Sequence, residues 1–200
     1  EVLRSLLFVP GNRLDMLQKA ATQPADALVP DLEDSVPVGE KARARDVVRE
    51  ALPAMARRSQ TLIPRINGFS TGLLRDDLAA VIGPYTYGVC IGKVESSWDL
   101  QELSRLIAEM EEVAGVPVGA TRVIPLVESA IGVLRAYDIC RATSRVVGAA
   151  LGAEDYIMDA GIRRTETREE TVFPRSLVAL AANAAGALPL DGPYLNVRDA

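Results

Sequence analysis

The sequence predicts an α/β fold, a (β/α)8 TIM barrel with its last βα unit missing from this chain, and three observations carry that expectation. Short β-branched runs alternate with longer amphipathic helical patterns, and right-handed crossovers between such runs make a parallel sheet. Most of the runs are apolar on both faces, as strands covered by helices are. The first run ends in Val9-Pro10-Gly11-Asn12-Arg13. That is not the Gly-x-Gly-x-x-Gly turn an open dinucleotide-binding sheet would carry, which favours the closed alternative.

Taken in order, residues 5–9 and 27–32 read as the first two strands. Residues 40–57 follow as a helix with Ala44, Val47, Val48, Ala51, Leu52 and Met55 on one stripe. Strands are expected at 61–66 and 88–94. The helix 99–114 repeats the apolar pattern with Leu100, Leu103, Leu106, Ile107, Met110 and Val113. Ser97 or Asp99 would cap its start, and Gly115 with Pro117 would end it. A strand at 122–127, a helix at 129–143, a strand at 146–151 and a helix at 169–187 complete the alternation. A less distinct strand, 188–197, closes the chain without a helix after it. No linker, low-complexity tract or internal boundary is visible, so residues 1–200 read as a single barrel domain, C-terminally incomplete.

Composition narrows the chemistry. Hydrophobic residues make up 48% of the 200, enough for one sizeable core and too many for a disordered chain. Lys and Arg total 22 against 27 Asp and Glu, so a polyanion such as nucleic acid is not the expected partner. The absence of His excludes Ser-His-Asp triads and His-ligated metal sites within these residues. Two cysteines, Cys90 and Cys140, are too few for a four-thiolate zinc site. Both lie in apolar contexts and read as reduced core residues of a cytoplasmic protein. No apolar run reaches membrane-spanning length, and no signal peptide is visible, although Glu1 is not an initiator Met.

The informative feature is where the charges fall. Pro30-Asp31-Leu32-Glu33-Asp34, Pro64-Arg65-Ile66-Asn67, Gly92-Lys93-Val94-Glu95, Leu126-Val127-Glu128-Ser129 and Gly152-Ala153-Glu154-Asp155 all stand at strand carboxyl ends. In a parallel barrel those ends converge on the face that holds the chemistry. Ile124, Leu126 and Glu128 share one strand face. Val147, Ala149, Leu151, Ala153 and Asp155 share another if that strand stays regular. Glu128 and Asp155, from adjacent strands, would then approach each other, and two anions at close range call for a cation. With neither imidazole nor thiolate at hand, that cation is expected to be Mg2+ completed by waters and substrate oxygens.

Other readings compete at each position. Glu128 or Ser129 could serve the next helix terminus. Glu95 and Glu154 sit one residue off the inward stripes and read as surface residues. Asp31, Glu33 and Asp34 cannot all face inward. Arg65 suits a fork for a substrate carboxylate or a developing enolate oxygen, or else a structural ion pair with Asp34 or Glu33. Lys93 could form a Schiff base, although a buried counter-ion to Glu95 or Glu128 is the stronger reading. Asn12-Arg13 opens a turn where backbone amides and the Arg13 side chain could hold a phosphate, against a default of turn and helix cap.

The same segments, in order, carry a resemblance. Residues 4–13 (RSLLFVPGNR), Asp31-Leu32-Glu33-Asp34-Ser35-Val36, Arg65-Ile66-Asn67-Gly68, Pro125-Leu126-Val127-Glu128-Ser129-Ala130 and Gly152-Ala153-Glu154-Asp155-Tyr156 closely resemble the citrate lyase beta subunit family. That family also includes malyl-CoA and citramalyl-CoA lyases and is related to malate synthase. The resemblance implies a (β/α)8 barrel, a homo-oligomer and often a trimer, that makes or breaks a C–C bond beside a thioester carbonyl with Mg2+. It implies Glu128 and Asp155 as metal ligands and Arg65 as the group that binds the oxo acid or steadies the enolate oxygen. Glu33 and Asp34 become catalytic-site acids on the substrate side, and Asn12-Arg13 part of the approach for CoA or phosphopantetheine. The expected function is a lyase acting on a CoA or acyl-carrier thioester. The alternatives are condensation of acetyl-CoA with an oxo acid, and a subunit active only within a multi-subunit lyase complex. The family's Gly-Lys…Ile-His-Pro pattern has no match here, so no residue is assigned as the proton donor.

Overall fold

Parallel pairing prevails because a helix or a long loop carries the chain back between successive strands. The computed structural model describes residues 3–56 and 61–193. The chain divides into two units, one running to Gly92 and taking in Gln101–Val123, the other made of Lys93–Leu100 and the residues from Ile124 onward.

In the first unit β1 (Leu6–Pro10) is followed by α1 (Leu14–Ala20), β2 (Ala27–Asp31) and α2 (Lys41–Ala56). Next come β3 (Thr61–Leu62), β4 (Arg65–Ile66), α3 (Leu74–Val81), β5 (Gly88–Ile91) and most of α4 (Ser97–Ala114). β1 pairs with β2 from Leu6↔Ala27 to Pro10↔Asp31. β3 and β4 are one stave interrupted at Ile63-Pro64, since Pro64 has no N–H to give the ladder. Asp31 stands in register with Arg65, and Arg65 with Cys90. β2 and β5 are buried along their whole length, as the two-sided apolar runs predicted. α2 buries Ala44, Val48, Ala51, Leu52 and Met55 of the expected stripe, and Lys41 with them, while Val47 is half-buried.

The second unit holds most of β6 (Arg122–Val127), then α5 (Ala130–Leu134), α6 (Ala136–Cys140), β7 (Gly148–Leu151), α7 (Ala153–Asp159), α8 (Val172–Ala184) and β8 (Leu188–Leu190). β6 pairs with β7 and β7 with β8, all parallel. Its core brings Val178, Ala181 and Ala182 of α8 against Val127, Val133, Cys140, Ala149 and Leu151.

The expected strands all recur, β1 shifted by one residue to end at Pro10; β8 covers the start of the last one and ends at Leu190, residues 194–197 lying outside the described residues. Four details differ. The helix expected over 129–143 is two, because Arg135 leaves helical backbone while its N–H reaches both Ile131 and Gly132 carbonyls. Val113 is exposed at 82%, and the apolar stripe of α4 turns instead onto buried Glu111. Short α1 and α3 fill stretches that the apolar periodicity did not mark. The strand expected over 146–151 ends at Leu151 as read, so the regular continuation that would have carried its stripe on to Asp155 does not occur.

Candidate functional site

Pro10 and Asp31 end their strands side by side, and there the backbones come closest: the Gly11 N–H donates to the Asp31 carbonyl at 2.8 Å. A Cβ on Gly11 would stand 2.6 Å from that oxygen, so the turn after β1 needs glycine. The Asp31 side chain turns back on its own loop and accepts the N–H groups of Glu33 (2.8 Å) and Ser35 (3.1 Å). Its outer lone pairs take a bidentate fork from Arg65, Nε at 2.7 Å and Nη2 at 2.6 Å. The other guanidinium nitrogen, Nη1, lies 3.0 Å from Glu33 and 3.2 Å from Asp34. The guanidinium also covers the Phe8 ring, 5.4 Å from its centroid.

Arg65 therefore brings Asp31, Glu33 and Asp34 together in the first unit. Asp31 and Glu33 are buried and Asp34 is the loop residue of the three, its side chain 54% exposed. Burial would lift the Asp31 carboxyl, but the hydrogen bonds and charge of Arg65 outweigh it and hold that carboxyl below its ordinary range. Burial acts on Arg65 in the lowering direction, and the three carboxylates overcome it and raise its proton affinity. The ion-pair alternative for Arg65 is thus realised, with Asp31 as its strongest partner. Sequence reasoning missed Asp31 as a site residue, although a carboxylate at the carboxyl end of the second strand was the available signal, and the structure sets it in register with Arg65.

Asn12 and Arg13 do not join this cluster. Asn12 Nδ2 donates to Glu40 at 2.8 Å, and Arg13 forks onto Asp15 at 3.0 and 2.9 Å on the surface.

In the second unit Glu128 extends the apolar stave β6 with a carboxylate that is 4% exposed. Ser129, not Glu128, caps α5, its Oγ accepting the Gly132 N–H at 3.1 Å. Glu128 Oε2 accepts the backbone N–H of Lys93 at 2.8 Å. Lys93 presents that N–H from the left-handed region, φ 58°, a costly conformation for a residue with a Cβ. The residue is exposed, so the expectation of burial at Lys93 does not hold. The rest of the Glu128 side chain lies flat on Gly152: a Cβ there would come within 2.3 Å of Cγ and 2.5 Å of Oε1.

Asp155 is reached by a different route from the one expected. After Leu151 the Gly152 N–H makes the last ladder bond, to Val127 O at 2.9 Å, and the chain then turns into α7. Asp155 sits half-buried in the first turn of that helix, where carboxylates complement the helix dipole. The alternation Ala153–Asp155 along a strand is therefore wrong. Glu154 pairs with Arg164 on the surface and Glu95 is exposed, as expected for both. At the start of α4, Asp99 accepts the N–H groups of Glu95 and Ser96 while Ser96 Oγ accepts that of Asp99, so Ser96 rather than Ser97 completes the cap.

Glu128 is seated in a cradle that a Cβ would fill, and Asp155 stands three residues after the glycine of that cradle, in the first turn of α7. Among the described residues no group of three or more His, Cys, Asp or Glu is arranged for a metal ion. A cation at Glu128 and Asp155 would draw on two carboxylates, waters and substrate oxygens, a donor set that fits Mg2+.

The model of the HpcH/HpaI aldolase/citrate lyase family matches residues 4–200. The chain is 37% identical over 196 residues to a citrate lyase subunit beta of Leuconostoc mesenteroides subsp. cremoris, covering 98% of this chain and 65% of that protein. It is 35% identical over 196 residues to a (3S)-malyl-CoA thioesterase of Cereibacter sphaeroides, with the same coverage, 98% and 65%. The chain thus spans about two thirds of the length of the curated relatives it matches. Among solved structures it is similar to the CitE protein of Mycobacterium tuberculosis in complex with magnesium, acetoacetate and coenzyme A. That likeness has a TM-score of 0.80 at 32% identity, over 99% of this chain and 69% of that one. The fold class is the expected one, α/β with parallel staves of the (β/α)8 barrel kind.

Proposed function

The chain belongs to the HpcH/HpaI aldolase/citrate lyase family, and from that premise we propose that it is a Mg2+-dependent carbon–carbon lyase for a 3-hydroxyacyl thioester of the citryl-, malyl- or citramalyl-CoA type. The observation that carries the reading is Glu128, a buried carboxylate at a strand end, fitted onto Gly152 and the Lys93 N–H. A relative crystallised with magnesium, acetoacetate and coenzyme A supports both the ion and the thioester.

Glu128 and Asp155 would hold Mg2+, which when bound supplies Lewis acidity toward the carboxylate and the hydroxyl or keto oxygen of the acyl group. Arg65 offers its guanidinium to the oxygen on which negative charge develops, with Glu33 and Asp34 fixing its direction from the acidic side. Asn12 and Arg13, at the mouth of the turn after β1, are the groups for the phosphates of the thioester's carrier. The bond that breaks joins C2 and C3 of the acyl chain. The 3-hydroxyl loses its proton and becomes the carbonyl of the oxo acid, while the electron pair stays on C2 as the thioester enolate, which then takes up a proton.

We read the protein as a homo-oligomer, a trimer in the family's manner. Leu134, Phe173 and Leu180, exposed at 75%, 70% and 65%, support an apolar contact surface on the second unit. Cys90 and Cys140, both thiols outside any disulfide, support a reducing, cytoplasmic setting. Among the described residues no helix is long and apolar enough to cross a membrane.

A panel of CoA thioesters, assayed with and without Mg2+ and with products separated by chromatography, tests the proposal. The expected result is an oxo acid with an acyl-CoA. Glu128→Gln and Asp155→Asn should each lower turnover by about a hundredfold or more and abolish Mg2+ binding, with the circular dichroism unchanged. Full activity in EDTA would overturn it. The similarity to a malyl-CoA thioesterase favours a second reading, hydrolysis, which would instead release free CoA and a hydroxy acid. Turnover only from acetyl-CoA and an oxo acid would mark the synthetic direction. Turnover only with an acyl carrier and partner subunits would mark a subunit of a larger complex.

A further inference from the structure

The loop that grips Arg65 is itself held from behind. Lys41, the first residue of α2, is 8% exposed, and lysine is seldom buried to that degree unless its ammonium has partners. Its Nζ donates to the Leu32 carbonyl at 2.7 Å and to the Glu33 carbonyl at 2.6 Å. Those are the carbonyls of the two residues that follow Asp31: Asp31 takes two nitrogens of Arg65, and the Glu33 carboxylate meets the third. The Leu32 carbonyl has a second donor, Asn67 Nδ2 at 2.9 Å, from two residues beyond Arg65 on its own stave. Asn67 is fixed in turn by fully buried Asp77, whose Oδ2 accepts both its backbone N–H (2.8 Å) and its Nδ2 (2.6 Å). Asp77 Oδ1 receives Arg45 at 3.2 Å, and Arg45 lies one helical turn after Lys41 on α2. The connections close on themselves through Lys41, Leu32 O, Asn67, Asp77, Arg45 and the helix.

We propose that Lys41 is a positioning residue for Arg65: the Lys41–Leu32–Asn67–Asp77–Arg45 ring locks the 31–34 loop to the end of β4, and so sets the direction in which the guanidinium faces its substrate. This deepens the lyase reading and rests on it for the substrate alone, since the ring and its hold on the loop are independent of the reaction. The ammonium touches two neutral carbonyls, while the carboxylates of Asp31, Glu33, Asp77 and Asp34 act on it through space. Burial is the larger influence and draws the ammonium below the ordinary lysine value, against the opposing field of those four. A neutral side chain of the same length would release the two carbonyls and leave the three carboxylates at Arg65 with one cation fewer.

The test compares Lys41→Met, Lys41→Arg and Arg65→Lys in the full chain. The first readout is the Arg65 side-chain Nε–H resonance in 15N-labelled protein, assigned by its loss in Arg65→Lys. In the parent it is held by Asp31 at 2.7 Å and should exchange slowly. Lys41→Met should shift it and speed its exchange, and Lys41→Arg should restore it. The second readout is turnover of the preferred thioester. Lys41→Met should lower kcat by roughly tenfold to a hundredfold, as a small misplacement of a substrate-facing group does, with a lesser change in KM. Lys41→Arg should recover most of it. An Arg65 resonance unaltered in folded Lys41→Met overturns the proposal. Should that variant not fold, Asn67→Ser removes the other donor to Leu32 while keeping the ammonium, and the same resonance decides. Arg65→Lys with full activity would sink the lyase assignment of Arg65, and the resonance would still decide whether Lys41 positions it.

Discussion

A hydrogen-for-methyl exchange at Gly152 reaches Glu128 directly. The added Cβ would overlap Cγ, Oε1 and Cδ at 2.3, 2.5 and 2.8 Å, so the carboxylate must leave its seat. Gly152→Ala is expected to cost about 1–3 kcal/mol of stability as an overpacked site. It should also weaken Mg2+ or Mn2+ binding by roughly tenfold or more, through displacement of the one carboxylate whose pose depends on it. Urea unfolding and titration calorimetry read the two effects separately, and unchanged affinity would mean that Glu128 is not a ligand. At this scale the sequence was legible where a charge interrupted an apolar pattern. Glu128 after Leu126-Val127 and Arg65 after Pro64 both stood out for that reason. It was not legible where the partner is a backbone atom: neither the Lys93 N–H on Glu128 nor the Leu32 and Glu33 carbonyls on Lys41 leave a mark in residue types.

Elements were readable from their apolar period when they were long, and the polar side chains that secure their ends were not. Glu111 illustrates the difference. It continues the buried stripe of α4 after Leu103 and Ile107, yet it is a carboxylate and is wholly buried. Its two oxygens accept the N–H groups of Gly119 (2.8 Å) and Thr121 (2.7 Å), closing the loop that leads into β6. Periodicity assigned the corresponding place on the helix to Val113, because a side chain that satisfies a distant loop has no local signature. Glu111→Ala should destabilise the protein by about 2–5 kcal/mol, since it strips charge-assisted bonds from the buried Thr121 amide and the part-buried Gly119 amide. Hydrogen exchange should quicken at Gly119 and Thr121 before it does in the strands. Equal protection in both proteins would show that the loop holds itself. The α7 segment failed for a related reason. Ala153-Glu154-Asp155 extends an apolar strand by alternation, and only the turn at Gly152 reveals that the acids open a helix.

For the molecule as a whole, the order of strands and helices was legible because parallel staves covered on both faces leave unmistakable apolar runs. The division into two units was not, since no composition shift accompanies it. The two cysteines fall one to each unit. Cys90 lies in β5, 1% exposed, and Cys140 ends α6, 3% exposed, its thiol pushed up to about 11 by burial. With Cys90→Ala and Cys140→Ala made singly, the remaining thiol in each should react with an aromatic disulfide at pH 8 about a thousandfold more slowly than in denaturant. Labelling as fast as in the denatured chain would contradict the burial. Matching rates for the two sulfurs would mean that the chain opens all at once, and unmatched rates that one half lets go first. Each half already carries its own chemical clock, and an experimenter can time its opening without adding a foreign probe.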